Sequence, residues 1–236
     1  MQDFFNNQVN IGFSQKPDGN MRVFFDRENK ETESNRRKFW QKNKISPSLI
    51  VLADLIHDDK IELVNYLNKG KVIKNTDALI TTDPKITLAL TAADCLIVYI
   101  YDPINQVVAL IHAGWRGLIK KIIIKTIEKM TFYYKSDPKE LKIYISPHIQ
   151  KCHFEIKEDV LNYFKNYSKY ITKSDKLFVD LSAIAKEQLI KSGVINKNIQ
   201  ISSECSYCLK NKYFSYRRNG NKHLETMIAY ISLKDN

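Results

Sequence analysis

The chain has 236 residues, 44% of them hydrophobic, enough to bury the core of one large domain or two small ones. Its formal net charge is +11, from 37 Lys and Arg against 26 Asp and Glu spread along the whole length. With no recognised binding module, that charge reads as a solvated basic surface and not as a nucleic-acid face, while still attracting small anions.

No run approaches the ~18 apolar residues of a membrane span. The start, Met1-Gln-Asp-Phe-Phe-Asn-Asn7, shows no basic and apolar leader, so the expected location is the cytoplasm. Four cysteines in that compartment are expected to be thiols or ligands and not disulfides.

In chain order, Val9–Phe13 and Met21–Phe25 read as short strands joined by the turn-rich Ser14–Asn20. Glu28–Lys42 reads as a surface helix stopped by Ser46-Pro47. Ser48–Ala53 is then a buried strand leading into Asp54-Leu-Ile-His57. Ile61–Val64, Ala78–Thr81 and Ile86–Ala92 are further strands. The centre of the chain is a hairpin, Leu96–Tyr101 and Val107–His112, around the turn chemistry of Asp102-Pro-Ile-Asn105. If Tyr101 pairs with Gln106, Cys95 lies directly opposite His112, with Cβ atoms about 4.5–5.5 Å apart. A thiolate and an imidazole so placed share a metal ion or a proton.

Gly114 and Gly117 read as a tight strand-to-helix turn. A helix then covers Leu118–Met130, with Ile122, Ile123, Thr126, Ile127 and Met130 as its apolar stripe. Its first amides, with Arg116 beside them, suit an anion such as phosphate. Leu141–Ile145 is a strand, and Glu158–Tyr167 and Leu181–Lys191 are helices, the second capped by Asp180 and stopped at Gly193. Ile199–Ser202, Tyr213–Tyr216 and Met227–Leu233 are the last strands. This irregular alternation implies one α/β domain with a mixed sheet. Cys205-x-x-Cys208 could be half of a structural zinc site or a redox pair, but closing a four-ligand site needs Cys152 and His153 from far away, so core or loop thiols are expected. His148 and His223 have no motif partners and are expected at the surface. One of Arg217 and Arg218 is expected to hold phosphate or sugar, the other only a salt bridge.

Ala93-Asp-Cys95, His112-Ala-Gly-Trp-Arg-Gly117 and Phe214-Ser-Tyr-Arg-Arg-Asn-Gly220 resemble the three signatures of the laccase-domain family, also called multi-copper polyphenol oxidoreductases, which includes the peptidoglycan editing factor. Weaker similarities fill the gaps in the same order: Gly12-Phe-Ser14, Asn35-Arg-Arg37, Asn75-Thr-Asp-Ala78, Pro147 to Ile156, and Cys205-Ser-Tyr-Cys208. The likeness therefore spans nearly the whole chain, and residues 1–236 are expected to form one such domain. It departs from the family at His57, which lies in Leu55-Ile-His-Asp58 and not in a Gln-x-His-Gly setting. It departs also at His153, where a second cysteine is common, and at the reduced loop Lys16-Pro-Asp-Gly19.

The resemblance implies a single-domain, layered α/β/β/α sandwich with mixed sheets, similar to the deamidase toxin fold. It implies a metal held by His57, Cys95 and His112. It also implies phosphorolysis of adenosine, inosine and S-methyl-5'-thioadenosine, with hydrolytic deamination of adenosine. Zinc is expected over copper, because a His₂Cys copper site adds a weak axial Met and no methionine lies near a ligand in sequence. Asp94 is assigned as a proton-handling or orienting carboxylate, the alternative being an Asp that bonds local backbone. Arg116, Arg217 and Ser14 are assigned to substrate. The expected partners are purine nucleosides and phosphate, with no nucleic acid and no membrane, in a monomer or homodimer. Three other readings stay open: a metal-free Cys95–His112 hydrolase or amidase, an editing factor for peptidoglycan precursors, and a copper-dependent polyphenol oxidoreductase.

Overall fold

Each face of the central hairpin meets a different layer, which is why its strands read as nearly unbroken apolar runs and not as alternating ones. A computed structural model describes residues 3–23, 29–220 and 224–234. In it Leu96–Asp102 and Val107–Ala113 lie inside a six-stranded sheet. The strand order runs Ile199–Ile201, Lys142–Ile145, Leu96–Asp102, Val107–Ala113, Ala78–Thr81, Ile61–Leu63. A second, five-stranded sheet has the order Val9–Phe13, Met227–Leu233, Thr87–Ala92, Ile50–Ala53, Val72–Ile73. Both mix parallel and antiparallel pairs.

Residue parity sets the layers. Ile97, Tyr99, Tyr101, Val108 and Leu110 pack against Leu88, Leu90, Ile231 and Leu233 of the other sheet. Leu96, Val98, Ile100, Ala109 and Ile111 pack the other way, under helices Ile122–Tyr134 and Leu181–Lys191. Helix Lys30–Lys42 covers the far side of the five-stranded sheet through Phe39 and Trp40, which meet Tyr230 and Ile228. The result is the α/β/β/α sandwich that the resemblance implied. A small sheet of Glu155–Ile156, Leu177–Val179 and Ile171–Lys173, too short to show periodicity, was not expected. No helix among the described residues is long and apolar enough to cross a membrane.

Five local expectations change. The hairpin register places Ile97, not Cys95, opposite His112. Asp102 ends the first strand, and its carboxylate accepts the N–H groups of Ile104 and Asn105 at 2.9 and 3.0 Å, so the turn begins one residue later than expected. A two-residue shift keeps every side chain on its face. Cys95 is therefore a diagonal neighbour of His112 on the inter-sheet side.

The helix expected over Leu118–Met130 is two segments, Trp115–Ile119 and Ile122–Tyr134, broken at Lys121, whose φ is +64°. The stripe Ile122, Ile123, Thr126, Ile127 and Met130 is buried as read, but the two exposed lysines at the break carry no apolar signal that could mark it. Glu158–Tyr167 starts as an α-helix to Leu161 and continues as 3₁₀ turns kinked at Tyr167. Tyr213–Tyr216 is not a strand: Ser215 caps the short helix Tyr216–Asn219, its side chain accepting the Arg218 N–H. Of the expected strand Met21–Phe25, residues 21–23 pair with no strand, while residues 24 and 25, like Glu28, lie outside the described residues.

Candidate active site

Asp77 organises the site. It sits just before strand Ala78–Thr81, and because Ala78 pairs with Ile111 in the antiparallel ladder, Asp77 abuts His112. Its backbone carbonyl accepts the His112 N–H at 2.7 Å, and its carboxylate Oδ1 lies 2.9 Å from His112 Nδ1. The same carboxylate accepts the backbone N–H groups of Ile56 at 3.2 Å, His57 at 2.9 Å and Asp58 at 2.9 Å. Three amides converging on one fully buried carboxylate pin a loop in which His57 takes a left-handed φ of +57°. That pinning sets the His57 ring against His112, centroids 4.7 Å apart and planes nearly perpendicular.

The ligand atoms of His57, Cys95 and His112 all lie within 4.8 Å of one another. With Nδ1 of His112 engaged by Asp77, Nε2 is the nitrogen left for a ligand or a proton partner. Burial opposes ionisation of the Cys95 thiol, but the charge of His112 and hydrogen bonds from both histidines outweigh it and bring the thiol down to about 6. Burial likewise opposes the imidazolium, yet Cys95 and Asp77 raise His112 to about 9. Without a metal each group thus favours the charged form of the other, the thiolate beside the imidazolium.

Gly114 caps the helix that follows at an ordinary φ of −63°, so its absent side chain matters for space and not for backbone freedom. A Cβ there would lie 3.2 Å from Cys95 Sγ, 3.5 Å from His112 Cε1 and 3.6 Å from His57 Cδ2. The expected tight turn is present, but Gly114 also lets the backbone close over all three side chains. Sequence reasoning gave Asp77 no role and read Gly114 only as part of a turn. Asp77 stood inside Asn75-Thr-Asp-Ala78, a segment noted for likeness and given no role.

The three side chains open into a cavity of about 1010 Å³. Trp115, Phe154 and Ile156 supply apolar wall, and Arg22, Arg116 and Arg217 also line it. Arg116 is exposed and lies over the Trp115 ring at 4.3 Å. Arg217 lies over Phe154 at 5.2 Å and donates to the His153 carbonyl at 2.9 Å. Arg218 is spent on the carbonyls of Ser206, Tyr207 and Tyr213 and is absent from the cavity wall. It makes backbone hydrogen bonds in place of the expected salt bridge.

Asp94, at φ +84°, accepts from Ser206 Oγ at 2.6 Å, Ser215 Oγ at 2.9 Å and the Arg217 N–H at 2.7 Å. These partners are distant in the chain, so the alternative of an Asp bonding local backbone does not describe it. It anchors the segment that carries Arg217. Two expectations fail. Ser14 is fully buried, exchanges hydrogen bonds with Ile228 and does not line the cavity, because the chain closes the sheet edge there. His148 is fully buried and not at the surface. Its Nδ1 donates to the Ser146 carbonyl at 2.7 Å, and burial pushes it down to about 4. His223 lies outside the described residues.

The family model described as multi-copper polyphenol oxidoreductase laccase matches residues 5–234. The chain is 36% identical over 183 residues to the purine nucleoside phosphorylase CA_C1699 of Clostridium acetobutylicum, covering 75% of this chain and 74% of that protein. It is 28% identical over 170 residues to the adenosine deaminase RL5 of an unknown prokaryotic organism, covering 69% and 64%. The crystal structure of the hypothetical protein YfiH of Bacillus licheniformis superposes with a TM-score of 0.89 at 27% identity, over 97% of this chain and 94% of that one. The match of nearly the whole chain, with the shared fold beneath it, means that this protein belongs to the multi-copper polyphenol oxidoreductase laccase family.

Proposed function

We propose that the protein is a zinc-dependent purine nucleoside enzyme, acting by phosphorolysis on adenosine, inosine and S-methyl-5'-thioadenosine and by hydrolytic deamination on adenosine. The observation that carries this reading is the convergence of His57, Cys95 and His112 at a cavity walled by aromatic side chains and three arginines, Arg22, Arg116 and Arg217. Relatives named for both activities support it.

Zinc fits the donor set. One thiolate and two imidazoles make a three-ligand tetrahedral site with a position left open, and the Asp77 carboxylate behind His112 is the usual outer partner of such a ligand. The described methionines Met21, Met130 and Met227 are buried in the core and none lines the cavity, so the axial thioether of a blue-copper site has no source. Zinc held there would supply Lewis-acid activation of water for deamination. The chain's own residues do the rest. Trp115 and Phe154 offer flat apolar surface to a purine, Arg116 and Arg217 grip phosphate, and Asp94 orients the Arg217 segment. Of the two roles expected for Asp94, this keeps the orienting one.

The direct test pairs elemental analysis with turnover of a nucleoside panel. Stoichiometric zinc with phosphate-dependent release of hypoxanthine from inosine is the expected result. Zinc-loaded protein inert towards every nucleoside would end the reading. The thiolate–imidazolium pair favours one other reading, a metal-free Cys95 hydrolase with His112 as base. Full activity after complete metal removal would favour that one.

Two variants probe the walls. Arg116→Met should raise the apparent KM for phosphate and lower phosphorolysis about 10–100-fold, the loss of roughly 1.5–3 kcal/mol of charge-assisted bonding. Deamination in phosphate-free buffer should fall much less; equal losses would make Arg116 a nucleoside contact or a support. Gly114→Ala should displace the Cys95 sulfur by a few tenths of an ångström, costing on the order of 10-fold in kcat/KM, less than the ~10²-fold of a full ångström. Zinc should also leave this variant faster under chelator competition. An unchanged off-rate would mean that the site absorbs the methyl group.

A further inference from the structure

Cys205 and Cys208, expected to be core or loop thiols, meet Cys152 and His153 at one point: one ligand atom from each of the four lies within 4.8 Å of all the others. Cys152 Sγ is 3.8 Å from Cys205 Sγ and 3.7 Å from Cys208 Sγ. His153 Nδ1 is 3.1 Å from Cys152 Sγ and 3.3 Å from Cys208 Sγ. Four ligands set tetrahedrally at ~2.3 Å for sulfur and ~2.0 Å for nitrogen are themselves about 3.8 Å apart for two sulfurs and about 3.5 Å for sulfur and nitrogen. The observed spacings fall near those values. A disulfide needs ~2.05 Å, whereas Cys152, Cys205 and Cys208 are all free thiols here, Cys152 standing almost equally far from the other two sulfurs.

The surroundings hold the ligands in place. Residues 148–150 run beside residues 204–206 through the exchange of His148 N–H to the Glu204 carbonyl and Ser206 N–H to the His148 carbonyl. The Gln150 N–H points at Cys205 Sγ, at 3.5 Å, as peptide N–H groups do towards metal-bound thiolates. The His153 ring stacks on Tyr207 at 4.0 Å, which fixes its rotation with Nδ1 facing the sulfurs. Cys205 is buried while Cys152 and Cys208 are exposed, so an ion has a path in.

We propose that these four residues form a second metal site, a closed Cys₃His zinc site that is structural and not catalytic. Three thiolates and one imidazole leave no position for substrate. Such an ion would staple the segment carrying Phe154 and Ile156 to the one carrying Ser206, Arg217 and Arg218. Both segments contribute to the cavity wall, where Arg217 also donates to the His153 carbonyl and lies over Phe154. Through Ser206, which donates to Asp94, the staple supports the residue next to Cys95. Zinc binding would displace the thiol protons to solvent, so retention weakens at acid pH.

The test uses whole protein purified without chelator, with zinc counted per chain. The double variant His57→Ala/Cys95→Ser removes the first ligand set at two residues that are not fully buried. It should keep one zinc, and cobalt exchanged into it should give the intense visible bands and thiolate charge transfer of a tetrahedral, sulfur-rich site. Adding Cys208→Ser should abolish both signals. Iodoacetamide should label Cys152 and Cys208 only after chelation. Loss of all zinc from the double variant would overturn the proposal while leaving the first site standing. One zinc in both the wild type and the double variant would keep the proposal and remove the first site instead. A Cys205–Cys208 disulfide found by mass spectrometry in the freshly purified protein would also overturn it.

Discussion

Cys95→Ala is expected to reduce nucleoside turnover to below about 1% of wild type while leaving the fold intact. Losing even an outer partner of a metal ligand typically costs 10–100-fold, and removing one of only three ligands exceeds that. The structural cost should be small, because Cys95 is only half-buried, lines the cavity and loses one atom in the substitution. The comparison belongs in metal-free protein, where the lost ligation no longer contributes to the melting temperature. There the change should stay well under the ~2–5 kcal/mol of a buried Leu→Ala. A drop of that size in the metal-free state would identify Cys95 as core packing and remove it from the site.

Asp77 is where a single substitution should do the most combined damage. Asp77→Ala strips the partner from His112 and leaves three converging N–H groups without an acceptor in a fully buried position. Breaking one side of such a buried arrangement costs roughly 3–5 kcal/mol. Asp77→Asn is the more informative change, because the shape survives while one acceptor oxygen becomes a donor. An amide NH₂ can face either the loop N–H groups or His112 Nδ1, and in neither position does it accept. If it faces Nδ1, the ring must carry its proton on Nε2, the nitrogen needed for the ligand. Zinc affinity should fall about 10–100-fold, with activity following zinc occupancy. Titration of the apo variant with zinc would check this. Wild-type affinity in Asp77→Asn would reduce Asp77 to a peg for the His57 loop.

The sequence alone determined the pieces that depend on neighbours in the chain. The stripe Ile122–Met130, the helix Leu181–Lys191 with its Asp180 cap, and the strands Val9–Phe13, Ala78–Thr81 and Met227–Leu233 all stand where periodicity and capping put them, because those signals are local. The family, too, was legible, carried by three motifs in fixed order. So was the pairing of Cys95 with His112 on one face, since strand parity survived a register error of two residues.

What only the tertiary structure decided are the contacts between residues far apart in sequence. Asp77 reaches His112 across 35 positions, and Asp94 reaches Arg217 across 123. Nothing in either local segment encodes its partner. The burial of Ser14 and His148 follows from which strands and segments lie over them, not from any pattern around them. The four-residue cluster at Cys152 and Cys205 is the same case: two short segments, each unremarkable alone, are brought together by a parallel bridge between His148 and Cys205. Local propensity fixes elements; the geometry of a site belongs to the packing of sheets and loops, which the chain specifies only as a whole.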